Sequence, residues 1–294
     1  GSINTDVALK DNIKLEKVEL SGNLSTEGFN LGVLLDKPEE IGFASLNIEM
    51  EADKPYNEYM SMFLTGEISS LDFHGYNYSN IFLRGVVGNK HFNGGVNIND
   101  PNLALLFTGR IDLSGEFPIF DFEADVRKIA PYQLNLSKKF ENGIINATVK
   151  TKLKGNQLDN LEGFLGVYDF NFSNRNGDVA FDNATLFFNK EADKSTIQIN
   201  SDWLEGQISG QYKFNDLSKS FSDIIRPFLP TLASTISTQE FKGVNCFTYN
   251  FKLKDIDKLA KVLELPFSVS SDGELYGEVD DYKDVISLNL MVHE

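Results

Sequence analysis

Apolar and polar residues alternate along most of this chain. Val18, Leu20, Gly22 and Leu24 are separated by Glu19, Ser21 and Asn23, and the same period returns through Met60, Met62, Leu64, Gly66 and Ile68. It continues through Ile81, Leu83, Gly85 and Val87, then Phe92, Gly94, Val96 and Ile98. Leu103, Leu105, Phe107, Gly109, Ile111 and Leu113 follow, then Phe120, Phe122, Ala124 and Val126. Later runs lie at residues 145–153, 164–172, 186–188, 197–199, 208–214 and 247–253. Successive side chains of a strand point to opposite faces, so strict alternation predicts strands with one buried face. Turn-forming groups fall between the runs, among them Gly88-Asn89-Lys90, Asp100-Pro101-Asn102, Ser114-Gly115, Asn142-Gly143, Asn176-Gly177-Asp178 and Asp272-Gly273. Roughly a dozen or more strands at hairpin spacing predict an antiparallel meander.

Three stretches break the period. Residues 29–35 ("FNLGVLL") read as a short helix or turn closed by Lys37-Pro38. Residues 215–234 space Leu217, Phe221, Ile224, Ile225, Phe228 and Leu232 as a helix does, with Pro227 and Pro230 to kink or end it. Residues 254–266 put Ile256, Leu259, Ala260 and Leu263 on one helical face. These helices are expected to pack on the sheet or to plug the mouth of a groove.

Glycine recurs inside the strands, at Gly66, Gly85, Gly94, Gly95, Gly109, Gly206 and Gly210. Within a strand it marks a bulge, a bend or a close backbone approach, so this sheet is expected to bend sharply. Three closures then remain: a packed sandwich, a membrane barrel with its apolar face outward, or a half-open trough with that face inward. The barrel is disfavoured, because strand lengths vary and Phe107, Phe120 and Phe122 sit mid-run rather than in girdles.

Length and charge narrow the partners. The 294 residues show no linker, charge block or low-complexity segment, so a single elongated β domain over residues 1–294 is expected. Gly1-Ser2 reads as a cloning scar, and the whole as a fragment of a longer protein. No run approaches the roughly 18 apolar residues of a membrane helix, so the fragment itself is not expected to span a membrane. A net charge of −16 with no Lys/Arg stripe argues against nucleic acid and against electrostatic attachment to anionic lipid surfaces.

The sequence offers no chemistry. Cys246 is the single cysteine, which excludes an intrachain disulfide and a cysteine metal site. His74, His91 and His293 have no ligand spacing, and residues 174–178 ("NRNGD") lack the geometry of a calcium loop. Asp121, Glu123 and Asp125 alternate with Phe120, Phe122 and Ala124, so they form the solvated face of a strand. No catalytic residue, metal or cofactor is expected, and the chain is read as a non-enzyme.

Two stretches, "VNINDPNLALLFTGRIDL" (residues 96–113) and "INSDWLEGQISGQYKFNDL" (residues 199–217), resemble the TamB family of translocation and assembly module proteins. The form they resemble is that of Bacteroidota, within the wider AsmA-like group. "FNLGVLLDKPEEIGFASLNIEM", "GYNYSNIFLRG" and "FKLKDIDKLAKVLELPFSVSSDGELYGEV" extend the resemblance over most of the chain. It implies an all-β fold, an elongated antiparallel β-taco: a U-shaped, curled sheet with a hydrophobic interior and two or three short helices. It also implies a periplasmic segment of a Gram-negative envelope protein anchored in the inner membrane. Phospholipid or another acyl-chain ligand is the implied cargo on its way to the outer membrane, and an Omp85-type outer-membrane barrel the partner in assembly of outer-membrane proteins. The expected groove lining is Ile81, Leu83, Val87, Phe92, Val96, Ile98, Leu103, Leu105, Phe107, Ile111, Leu113, Phe120, Phe122, Val126, Val149 and Ile208. The alternative is a fully packed β scaffold that acts through protein partners and holds no lipid.

Overall fold

A computed structural model gives the fold and describes residues 1–12, 17–55, 61–191, 194–213, 226, 245–254, 256–264, 270–280, 282–283 and 285–293. The chain is all-β. Its first eight strands are β1 (Ser2–Asn12), β2 (Lys17–Asn30), β3 (Ile41–Pro55), β4 (Ser61–Phe73), β5 (Tyr76–Gly88), β6 (His91–Asp100), β7 (Leu103–Asp112) and β8 (Ile119–Ile129). The second eight are β9 (Ile144–Lys154), β10 (Glu162–Asn174), β11 (Gly177–Glu191), β12 (Lys194–Ser201), β13 (Leu204–Gln211), β14 (Cys246–Leu253), β15 (Gly273–Asp280) and β16 (Val285–Val292). Each strand pairs with the next, giving one 16-stranded sheet in sequence order that does not close into a barrel. The registers between β1 and β8 and between β11 and β16 are all antiparallel.

The turns follow from local chemistry. Asn89 (φ 41°) and Lys90 (φ 60°) both take positive φ between β5 and β6, the backbone of a primed two-residue hairpin whose twist matches that of its strands. β7 stops at Asp112 because its carboxylate accepts from the Ser114 N–H at 2.9 Å and the Ser114 hydroxyl at 2.5 Å. That local turn replaces the ladder.

Among the described residues two short α-helices interrupt the strands. α1 (Leu31–Leu34) realises the turn read at residues 29–35; Asn30 caps it by accepting from Val33 N at 3.1 Å. α2 (Asp257–Leu263) ends where Glu264 turns left-handed at φ 53°. Its region buries Ile256 and Ala260 as the helical spacing predicts, and Val262, which that spacing placed off the apolar face. The helix expected at residues 215–234 lies outside the described residues except for Arg226.

Packing gathers in two compact units. Unit 1 comprises residues 1–150 and 169–180; unit 2 comprises residues 151–168 and 181–294. Each has its own apolar cluster on one face of its strands. Tyr78, Ile81 and Leu134 form the one in unit 1; Phe247, Tyr249 and Val279 form the one in unit 2.

Candidate functional site: the apolar face of the sheet

Strand register turns the alternating residues of unit 1 into rows that cross the strands. One row runs Leu46, Ile68, Ile81, Ile98, Leu105, Val126, and the next runs Ile48, Gly66, Leu83, Val96, Phe107, Ala124. A third row runs Met50, Leu64, Gly85, Gly94, Gly109, Phe122. Met62, Val87, Phe92, Ile111 and Phe120 make the fourth. Three consecutive strands therefore place glycine side by side. A Cβ at Gly94 would stand 2.5 Å from the Gly85 Cα, and one at Gly109 would stand 2.5 Å from the Phe122 Cβ. Neighbouring backbones approach closely along this row, which glycine permits. Phe92, Phe107 and Phe122, from the fourth, second and third rows, lie with ring centroids 6.1 and 5.1 Å apart. Most residues of these rows are half-buried.

At one end of these strands the face is covered. The connection from β8 to β9, residues 130–143, lies over it and delivers Leu134, whose exposure is 0%. Leu134 joins Tyr78 and Ile81 in the cluster, with Ile68, Leu71, Val96, Ile98 and Leu103 packed around them. Asn135, at φ 59°, donates to the Gly75 carbonyl at 2.9 Å and so ties this strap to the β4–β5 turn. The Ala130 N–H reaches the Asn102 carbonyl of the β6–β7 turn at 2.9 Å.

A buried carboxylate closes the same end. Asp100 is 5% exposed and accepts from the Tyr76 hydroxyl at 2.6 Å, the Ser79 hydroxyl at 2.8 Å, the Ser79 N–H at 3.0 Å and the Asn102 N–H at 2.8 Å. Burial opposes its charge, yet the bonds from Tyr76, Asn102 and Ser79 outweigh that and hold its pKa below the usual carboxylate range. Burial and the Asp100 charge together push the Tyr78 phenol up. The Asn102 side-chain amide donates in turn to the Tyr76 hydroxyl at 3.1 Å, and the network orders a strand end.

Unit 2 follows the same row logic, and no strap crosses its rows among the described residues. Phe188, Ile197, Ile208, Tyr249, Gly277 and Leu288 form one row, and Leu186, Ile199, Gly206, Phe251, Leu275 and Leu290 the next. Glycines again face aromatic residues across the strands: Gly206 opposite Phe251, Gly210 opposite Phe247, and Gly277 opposite Tyr249. The Tyr249 hydroxyl lies 2.6 Å from where a Gly277 Cβ would be and donates to the Ser287 carbonyl at 2.8 Å. Each ring covers backbone that glycine leaves bare, which pins the register as well as filling space.

Tyr212 stacks edge-on against Phe247 at 5.6 Å, and its hydroxyl has no hydrogen-bond partner among the described residues. Burial, with a smaller contribution from the Asp159 charge, pushes its pKa up to about 12.

Toward the β14–β15 end the rows open into an apolar cavity of about 500 Å³. Leu204, Phe251, Leu253, Leu275, Leu290 and Val292 are its apolar walls, and Ser271, Asp272, Gly273 and Glu274 complete its lining. On β16, Leu290 is 65% and Val292 61% exposed, so this wall meets solvent.

The sequence-derived lining residues divide accordingly. Ile81 and Val126 are buried, and Ile81 lies beneath Leu134. Leu83, Val87, Phe92, Val96, Ile98, Leu103, Leu105, Phe107, Ile111, Phe120, Phe122 and Val149 are half-buried in unit 1. Ile208 is half-buried in unit 2 against its Phe247–Tyr249–Val279 cluster. Leu113 lies one residue beyond β7 and is 48% exposed. The walls of the cavity in unit 2 were not among the expected residues. Their alternation along 285–292 (Ile286, Leu288, Leu290, Val292) was a usable signal.

The opposite face carries the charge. Asn93, Asn97, Arg110, Asp121 and Glu123 are exposed there, and Lys150 pairs with Glu123 at 3.2 Å and Arg127 with Asp125 at 2.9 Å. Phe82 (49%) and Leu106 (40%) are exposed among them, so this face is not uniformly polar. Among the described residues no cluster of three or more His, Cys, Asp or Glu is arranged to hold a metal ion. No helix among them is long and apolar enough to cross a membrane. Compared with known proteins, the chain matches no family model, no curated protein and no solved structure.

Proposed function

We propose that this chain is a non-enzymatic acyl-chain-binding segment of a bacterial envelope protein, similar in role to the TamB family. The observation that carries the reading is the cavity of about 500 Å³ in unit 2, walled by Leu204, Phe251, Leu253, Leu275, Leu290 and Val292. That volume falls in the roughly 300–1,000 Å³ range of small-molecule sites. Its walls carry carbon where an acyl chain needs it, and each methylene taken from water is worth about 0.8 kcal/mol. Smooth aliphatic rows with few polar anchors suit cargo that slides rather than cargo held in one pose. The periplasmic location, the inner-membrane anchor, passage of phospholipid toward the outer membrane and an Omp85-type partner in assembly of outer-membrane proteins enter this proposal from the sequence resemblance.

A second reading is favoured by one observation in unit 1. Leu134 fills the end of the face there, as in a packed scaffold that acts through protein partners.

Native mass spectrometry of the purified chain mixed with phospholipid separates the two. Acyl-chain adducts that fall at least tenfold in Leu253→Glu are expected. Equal adduct levels in both proteins, or none in either, would contradict the acyl-binding reading.

A further inference from the structure

We propose that unit 1 contains a second acyl-chain site, occupied in this structure by the chain's own strap, residues 130–143, and that its cargo is a single acyl chain with an anionic head. The inference rests on reading the apolar face as acyl-binding. Three observations carry it.

First, Leu134 stands at the end of a continuous apolar track. The rows containing Val96 and Ile98 run under it, and the same rows continue to Leu83, Phe107 and Leu105, which stay half-buried. A chain lying along β7 over Phe107 and Leu105 would next meet Leu103, in the cluster that Leu134 covers. Second, the strap is anchored at its ends, by buried Ala130 and by Phe140 edge-on against Phe172 at 5.2 Å, while its middle covers the face with one side chain. Of residues 132–136 only Leu134 is buried; Tyr132, Gln133, Asn135 and Leu136 are exposed. Leu134 is therefore a one-residue substitute for a few methylenes of cargo. The strap returns to the β4–β5 turn through the side chain of Asn135. Third, the strap brings positive charge to a strongly acidic protein. Lys138 and Lys139 are adjacent and exposed, in a chain with net charge −16. A carboxylate or phosphate head would find its counter-charge there, whereas a quaternary ammonium would not.

The test counts chains bound per protein by native mass spectrometry, with twelve-carbon amphiphiles below their micelle concentrations: dodecanoate, dodecyl phosphate and dodecyltrimethylammonium. Wild type is expected to bind one dodecanoate tightly, in unit 2. Leu134→Ala is expected to bind a second at least tenfold more tightly than wild type does, and Leu134→Ala with Leu253→Glu to keep that one alone. A folded Leu134→Ala with wild-type stoichiometry and affinity overturns the inference. Should wild type bind none while Leu134→Ala binds one, the unit 2 site fails and the unit 1 site stands; no binding to either defeats both.

The two anionic probes distinguish a free fatty acid from a lipid phosphate, and dodecyltrimethylammonium binding as well as they do overturns the anionic head. Hydrogen exchange on the wild-type protein gives an independent readout should Leu134→Ala not fold. Saturating dodecanoate is expected to raise exchange at the Leu134, Asn135 and Leu136 amides, which bond to Ala130, Tyr132 and Pro131 carbonyls. Unchanged exchange there would overturn the proposal.

Discussion

The apolar faces of the two units are built from the same parts and finished differently. Both align alternating aliphatic residues into rows, and both set glycine opposite aromatic rings, as Gly109 with Phe122 and Gly277 with Tyr249. In unit 1 a fourteen-residue connection lays Leu134 onto the end of the rows. In unit 2 the corresponding rows end in an apolar cavity of about 500 Å³. The difference shows that alternation alone specifies a greasy face but not whether that face is filled. In unit 1 a single side chain from an irregular segment fills it.

The sharpest way to break this comparison is to truncate one leucine on each side of it. Leu134→Ala removes a side chain with 0% exposure and should cost unit 1 about 2–5 kcal/mol. Leu253→Ala trims a half-buried cavity wall and should cost under about 1 kcal/mol, since little packing is lost. Urea unfolding followed by probes in each unit checks both; equal costs would mean that the two faces are equally packed.

A smaller effect tests the glycine row. Gly94→Ala must push a Cβ against the Gly85 Cα and should destabilise by about 1–3 kcal/mol. Its neighbour Gly95 has nothing nearer than 3.5 Å to a new Cβ, so Gly95→Ala should be neutral or stabilise by about 0.4–1 kcal/mol. Thermal unfolding of the pair distinguishes a close approach that needs glycine from a glycine that is merely tolerated.

The acid limb of stability sharpens the unit 1 side further. Asp100 has a folded pKa lowered below its unfolded value, so its contribution is fully present above the ordinary carboxylate range. It is lost as pH falls through the lowered folded value. Unit 1 should therefore lose stability in acid, and Asp100→Asn should flatten that dependence, measured by unfolding midpoints across the pH range. The smallest effect is expected on the outer face: Lys150→Ala, which removes the exposed pair with Glu123, should change stability by under about 1 kcal/mol.

Much of the fold was legible in the sequence because the period of two is a direct record of strand geometry. The runs around residues 81–87, 92–98, 103–111 and 120–126 all became strands, and Gly88-Asn89-Lys90 and Asp100-Pro101-Asn102 became their hairpins. Helix α2 was legible from Ile256, Leu259 and Ala260, though Val262 also turned inward. The site was less legible. Every expected lining residue except Ile208 fell in unit 1, because the alternation is longest there. Leu134 gave no signal: it stands between Pro131 and Asn135 in a segment without period, and apart from Ile129 the residues of its cluster are more than thirty positions away. Row neighbours such as Gly85, Gly94 and Gly109 depend on register, which alternation constrains only to one face or the other.

The most direct test of the account is to ask where an acyl chain lies. The chain is mixed with a fatty acid carrying a photoreactive diazirine near its methyl end, irradiated, and the adducts are mapped by peptide mass spectrometry. The account predicts adducts on Phe251, Leu253, Leu275, Leu290 and Val292, with Ile81, Ile98 and Leu103 protected under Leu134 in the wild-type protein. Adducts gathered on the exposed Phe82 and Leu106 of the outer face, with none in the unit 2 cavity, would contradict it.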